Sequence, residues 1–269
     1  MKISVIITTY QSPEWLEKVI CGYLNQTHRD FELIVADDGS DAITAQVVEK
    51  YLGNGIPIKH VWQADKGFRK TKILNKAIVK AHYDYLVFSD GDCIPRKDFL
   101  SVHAADATKG RFLSGGYIKL PMSTSQAITL RDIQSNRSFS NVWLISNGIY
   151  NPKLLLKLLI PKYASPIANR LTPTKPTWNG HNSSGWKEDI IKTNGFDERM
   201  EYGGLDRELG ERLENAGIKG KCIRYRAICI HLDHKRDYKR SKAMELNNKI
   251  RHQTRSKSKV KTNYGIIKF

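Results

Sequence analysis

The 269-residue chain lacks several things, and each absence narrows its reading. No run approaches the roughly 18 uninterrupted apolar residues that a membrane-spanning helix needs. The opening MKISVIITTY has one lysine and too short an apolar run for a cleaved leader. It reads instead as the first strand of a folded domain, and the expected location is the cytoplasm. The four cysteines, Cys21, Cys93, Cys222 and Cys229, form no CxxC pair. That argues against a zinc ribbon or a disulfide framework and for reduced thiols. TTYQSPEW, after the first strand, is not the Gly-rich phosphate loop a nucleotidyltransferase would carry there. No internal repeat or long linker breaks the chain. Acidic residues are scarce, 27 against 44 Lys and Arg, for a net charge of +17. The excess is uneven. From Lys235 to Lys261 eleven cations face only Asp237 and Glu245. Residues 235–269 are therefore expected to be a basic helical extension. It could dock on an anionic membrane surface or a phosphorylated lipid-linked acceptor, or be a solvated helix face. Specific nucleic-acid binding is not expected, because few aromatics are interleaved with those cations.

What is present is strand–helix alternation. Residues 3–9 form a β-branched run, and Ser12 and Pro13 can cap and start the helix that follows. FELIVADDGS, IPIKHVWQ and DYLVFSD read as further strands, and AITAQVVEKYL and TKILNKAIVKA as the helices between them. This order predicts an α/β fold, a mostly parallel sheet with helices on both faces. Ligands in such sheets bind beyond the carboxyl ends of the strands. That gathers the loops after Thr9, at Asp37–Ser40 and at Asp90–Cys93. After about residue 115 the alternation weakens. RELGERLENAGI still reads as a helix and CIRYRAICIHL as a strand.

Three loops carry chemistry. In SDGD, Asp90 and Asp92 end a buried strand one residue apart. Paired carboxylates there suit a hard divalent cation that also takes phosphate oxygens, or an Asx-turn. In VADDGS, Asp37 and Asp38 can accept hydrogen bonds from a base or ribose, or close a capped turn. KGFRKTK lies across the same sheet edge, where Arg69 or Lys72 can meet a diphosphate.

SVIITTYQSPEWLEKVICGYLNQTHRDFELIVADDGS, then NKAI, then YLVFSDGDCIPRKDFL closely resembles the family 2 glycosyltransferases with the GT-A fold, over roughly residues 1–105. NGFDERMEYGGLDRELGERLENAGIKGK is similar to the C-terminal segment of bacterial chondroitin-type polymerases and β-1,4-galactosyltransferases. The resemblance implies a domain over 1–234, with a nucleotide-binding half to 105 and an acceptor-binding half after it. It implies a nucleotide-sugar donor, usually a UDP-sugar, and inverting transfer of a hexose or N-acetylhexosamine. The acceptor would be a glycan or lipid-linked glycan of bacterial surface polysaccharide or lipopolysaccharide. By the same resemblance Thr8 and Tyr10 border the base, Asp38 binds it and Asp37 supports the loop. Arg69, then Lys72, meets base or phosphate. Asp90 contacts the ribose or the metal shell, and Asp92 ligates Mn²⁺ or Mg²⁺. His231, at a strand end, is preferred to His234 as a further ligand. Asp206 of GGLD is the implied catalytic base, with Leu205 standing where relatives carry another acid. Trp178, Asn179, Asn182, Trp186 and Glu208 are placed on the acceptor side, core packing being the alternative for either Trp. The rival class is a non-catalytic nucleotide-sugar or nucleic-acid binder, favoured by the net charge.

Overall fold

The computed structural model describes residues 1–161, 163–234 and 241–268. Four buried or half-buried strands open the chain: β1 (Ile3–Thr9), β2 (Phe31–Asp37), β3 (Ile58–Trp62) and β4 (Tyr85–Asp90). β1 pairs in parallel with both β2 and β4, and β2 with β3. Three short strands follow: β5 (Cys93–Pro95), β6 (Arg111–Ser114) and β7 (Gly116–Lys119). The last three are β8 (Ser183–Trp186), β9 (Lys219–Cys222) and β10 (Ile228–His231). The main sheet runs β3-β2-β1-β4-β8-β6-β9, and β5-β10-β7 form a small second sheet. β8 lies antiparallel between β4 and β6.

Side-chain alternation explains why the sheet is covered on both faces. Ile3, Val5, Ile7 and Val87 join one apolar cluster, and Ile6, Leu86 and Phe88 the other. The helix Lys70–Lys80 presents Ile73, Leu74, Ala77 and Ile78 to the second cluster, as their spacing predicts. The helix Pro13–Leu24 starts on Pro13 as expected, but the Ser12 hydroxyl makes no capping bond. All four cysteines are free thiols. Among the described residues no helix is long and apolar enough to cross a membrane.

Register sets the chemistry. Thr8 stands opposite Asp90 and Thr9 opposite Asp37, so both acidic loops leave the sheet at one edge. In the small sheet His231 pairs with Cys93, which brings a residue from far along the chain next to Asp92. The helix Ser241–Ser256 belongs to the expected basic extension, and residues 241–268 pack on the same body. Asn194 donates its side-chain amide to the Thr262 and Ile267 carbonyls and accepts from the Ile267 N–H. Residues 235–240 of that extension lie outside the described residues.

Candidate active site

A cleft of about 1090 Å³ opens over the carboxyl edge of the main sheet. Of the residues singled out from sequence, Thr8, Tyr10, Asp38, Asp90, Asp92, Asp206 and His231 line it, together with His234. Asp37 lies just beneath. It accepts from the Gly39 and Ser40 N–H groups at 3.2 and 2.8 Å and from His60 at 2.9 Å. Those bonds outweigh the effect of its burial and hold its carboxyl below the usual range. Gly39, with φ of +104° and its missing Cβ space filled by Asp65, lets the loop close this tightly. Asp38 accepts from Gln63 and from the Arg69 backbone N–H, each at 2.7 Å, while burial raises its proton affinity. Tyr10 is half exposed and donates to Asp65 at 3.0 Å.

Asp90 and Asp92 have different partners. Lys70 Nζ lies 2.6 Å from Asp90 Oδ1, and Thr8 donates to the same oxygen at 2.7 Å. Burial would favour the neutral acid, but the lysine charge and both hydrogen bonds hold Asp90 well below the usual carboxylate range. Asp92 Oδ2 stands 3.1 Å from His234 Nε2 and 3.8 Å from His231 Nε2. Burial again opposes ionisation, yet the two imidazoles keep Asp92 low. One ligand atom from each of Asp92, His231 and His234 falls within 4.8 Å of the others, and His231 Nδ1 is buried without a partner. A carboxylate with two imidazoles fits a divalent transition ion better than Mg²⁺, which prefers an all-oxygen shell. Sequence preferred His231 to His234, and the structure brings both rings to Asp92.

Asp206 is the second residue of the helix Leu205–Asn215, which is capped by Gly204, so it is not the N-cap. Its Oδ1 is buried with no hydrogen-bond partner. Burial pushes its pKa up to about 6; Lys70 pulls it down and Asp90 adds to the rise. Leu205, which precedes Asp206 in GGLD and stands where relatives carry the first acid, is buried in the apolar cluster with Met200 and Leu209.

Several expected site residues are elsewhere. Arg69 turns its guanidinium to the Ala64 carbonyl, and neither it nor Lys72 lines the cleft. Lys70 does, and its spacing could have found it. It sits three and four residues before Ile73 and Leu74 and so shares their inward face. Trp178 is fully buried against Phe88 and Phe112, which corrects its acceptor role to core packing. Asn182 is buried too, donating to the Gly116 and Ala227 carbonyls and meeting His103 at 3.0 Å. Asn179 supports that turn by accepting from the Asn182 N–H at 2.7 Å. Trp186 pairs with Tyr85 at the end of β4 remote from Asp90, under the Lys109 amine. Glu208 is buried in an ion pair with Arg212 at 2.8 Å and accepts from Thr254. These five side chains therefore do not face the cleft. Glu208→Ala should destabilise the fold by about 3–5 kcal/mol, because it leaves Arg212 buried and unpaired. A lower urea midpoint checks this; an unchanged midpoint would return Glu208 to a role outside the core.

The loop before Asp206 has a brace that sequence did not suggest. Gly203 and Gly204 take φ values of +106° and +86°. Asn247, fully buried on the helix Ser241–Ser256, donates its amide to the carbonyls of Glu201, Tyr202 and Gly203 at 2.8–3.1 Å. Arg251, on the same helix, pairs with Glu211 at 2.5 Å.

The family model described as "Glycosyl transferase family 2" matches residues 4–147, just over half of the chain. The chain is 28% identical over 229 residues to a chondroitin synthase of Escherichia coli, covering 80% of this chain and 32% of that protein. It spans from 10% to 65% of the length of such curated relatives. Among solved structures, Staphylococcus aureus TarS 1–349 in complex with UDP-GlcNAc superposes with TM-score 0.61 at 17% identity. That match covers 88% of this chain and 60% of that one. The mannosyltransferase PcManGT of Pyrobaculum calidifontis, in complex with GDP-Man and Mn²⁺, gives 0.59 at 18% identity. It covers 88% of this chain and 58% of that one. These likenesses bear on the fold, which is the expected α/β GT-A architecture.

Proposed function

The chain belongs to glycosyl transferase family 2, and from that premise we propose that it moves a hexose or N-acetylhexosamine from a nucleotide sugar to a glycan acceptor, inverting the anomeric centre. One juxtaposition carries the reading. The Asp92–His231–His234 cluster, the Asp90–Lys70 pair and an Asp206 carboxyl whose buried Oδ1 has no hydrogen-bond partner line a single cleft. A UDP-sugar is the donor proposed, in keeping with the UDP-GlcNAc complex of TarS. Asp37 and Asp38 hold the loop that receives the base, with Thr8 and Tyr10 beside it. Asp92, His231 and His234 would hold Mn²⁺, a choice supported by the donor set and by the PcManGT complex. When bound, such an ion stabilises charge on the leaving diphosphate. Lys70 keeps Asp90 ionised and adds a positive charge to the diphosphate side. Asp206 takes the proton of the acceptor hydroxyl as that oxygen attacks the anomeric carbon. Phe68 and Tyr202, an edge-to-face pair 6.2 Å apart in the cleft wall, offer ring faces to the sugars, replacing the buried Trp178. The acceptor class proposed is a surface polysaccharide or lipopolysaccharide chain, in line with the synthase relatives.

The test is nucleotide release from a panel of UDP-sugars with and without Mn²⁺. Asp92→Asn should lose the metal-stimulated part almost entirely and keep its melting temperature. Donor binding without turnover under any condition would instead favour the non-catalytic binder.

A further inference from the structure

From Ile133 through Lys187 the chain carries seven Lys and Arg and no Asp or Glu; all 27 acidic residues lie elsewhere. The same stretch exposes aliphatic side chains. The helix Pro152–Leu159 packs Leu154, Leu155 and Leu158 on the core. Its other face carries Lys153, Leu156 and Leu159 at three-residue spacing, with the two leucines 60% and 63% exposed. On the helix Ser165–Leu171, Ile167 and Leu171 are 63% and 77% exposed, with an exposed Arg170 beside them. A short helix that is apolar on both sides needs a cover for each. Tyr150 and Tyr163, also exposed, flank the patch.

We propose that residues 150–161 and 163–171 form a membrane-contact face that beds Leu156, Leu159, Ile167 and Leu171 in the surface layer of an anionic bilayer. Charge complementarity selects the lipid. The stretch offers cations alone to the headgroups, and its aliphatic groups suit the boundary just beneath them. Exposed tyrosines suit the interfacial depth. The face is fastened to the cleft: Lys157 donates to the Tyr117 carbonyl at 2.9 Å, and the Tyr117 ring lies 5.9 Å from that of His231. The contact is independent of donor chemistry. It also places the membrane on a different part of the chain from the basic segment after residue 234.

Flotation of the intact protein with phosphatidylcholine vesicles, with or without phosphatidylglycerol, tests it. The protein should rise with the anionic vesicles and stay behind with the zwitterionic ones. Each double variant, L156E/L159E or I167E/L171E, should lower the partition coefficient at least roughly tenfold, the effect of withdrawing buried leucine-sized groups. Melting temperature and nucleotide release with a soluble acceptor should be unchanged. The proposal is overturned if the wild type does not float. It is also overturned if the double variants float as well as the wild type while charge reversal at Lys257 and Lys259 abolishes flotation. A wild-type dimer that both variants split would assign the face to a second copy of the chain and overturn it too.

Discussion

Asp206→Asn is expected to lower sugar transfer by about 10²–10⁴-fold, the usual contribution of a positioned general base. Donor affinity should survive, because the side of the cleft proposed for the diphosphate is lined by Asp90, Asp92 and Lys70. The pH profile makes this specific. Asp206 titrates at about 6, raised mainly by burial. Only its ionised form accepts a proton, so kcat/KM should climb as pH rises through about 6 and level off above it. The variant should lose that limb. Stability moves the opposite way. The folded chain holds this proton more tightly than the unfolded chain. The resulting stabilisation is complete below the ordinary carboxylate pKa and is lost as pH rises through about 6. Near pH 8 the variant should therefore be more stable than the wild type, by at most about 3 kcal/mol for a shift of roughly two units. Urea denaturation at pH 5 and pH 8 measures the difference. A variant with wild-type turnover would remove Asp206 from the reaction.

Lys70→Met should have the next largest effect. Lys70 pairs with Asp90 and its charge acts on Asp206, so it holds two carboxylates in an ionisable state at once. Turnover should fall by about 10²-fold, in the range seen for losing one preorganised electrostatic contact. Stability should fall by about 1–3 kcal/mol. That is less than for a fully buried pair, because both side chains keep about a fifth of their surface. The distinguishing sign is in the pH profile. Without the lysine field Asp206 binds its proton more tightly, and the acid limb should move above pH 6. A limb that stays in place while turnover falls would mean that Lys70 serves the donor alone.

The first hundred residues were readable because β1, β2 and β4 are nearly continuous apolar runs buried on both faces, with the half-exposed β3 beside them. Such runs leave little choice of element, and strand order then sends Asp37, Asp38, Asp90 and Asp92 to one edge. His231 was readable for a related reason, since it closes an apolar strand. The acceptor side was not. Trp178, Asn182, Trp186 and Glu208 have side chains that suit sugars, but residue type carries no direction once alternation is lost. β8 runs antiparallel between β4 and β6, and this insertion turns Trp178 and Asn182 into the interior. Glu208 and Arg212, four residues apart on one helix, neutralise each other in the interior, whereas the sequence reading placed Glu208 on the acceptor side. Lys70 was hidden among four cations until the inward face of its helix was considered. The role of Asn247 had no local signal, because its three carbonyl partners lie more than forty residues earlier.

That last contact bears on the order in which the protein is made. Synthesis runs from the amino end, so the loop carrying Asp206 leaves the ribosome before the residues that brace it. A nascent chain can complete the main sheet and the Asp92–His231–His234 cluster while Gly203 and Gly204 still lack the Asn247 amide. With Asp206 as the proposed base, its loop would gain the Asn247 brace only after the helix Ser241–Ser256 has docked, so that a half-made chain would be expected to bind donor before it could spend it.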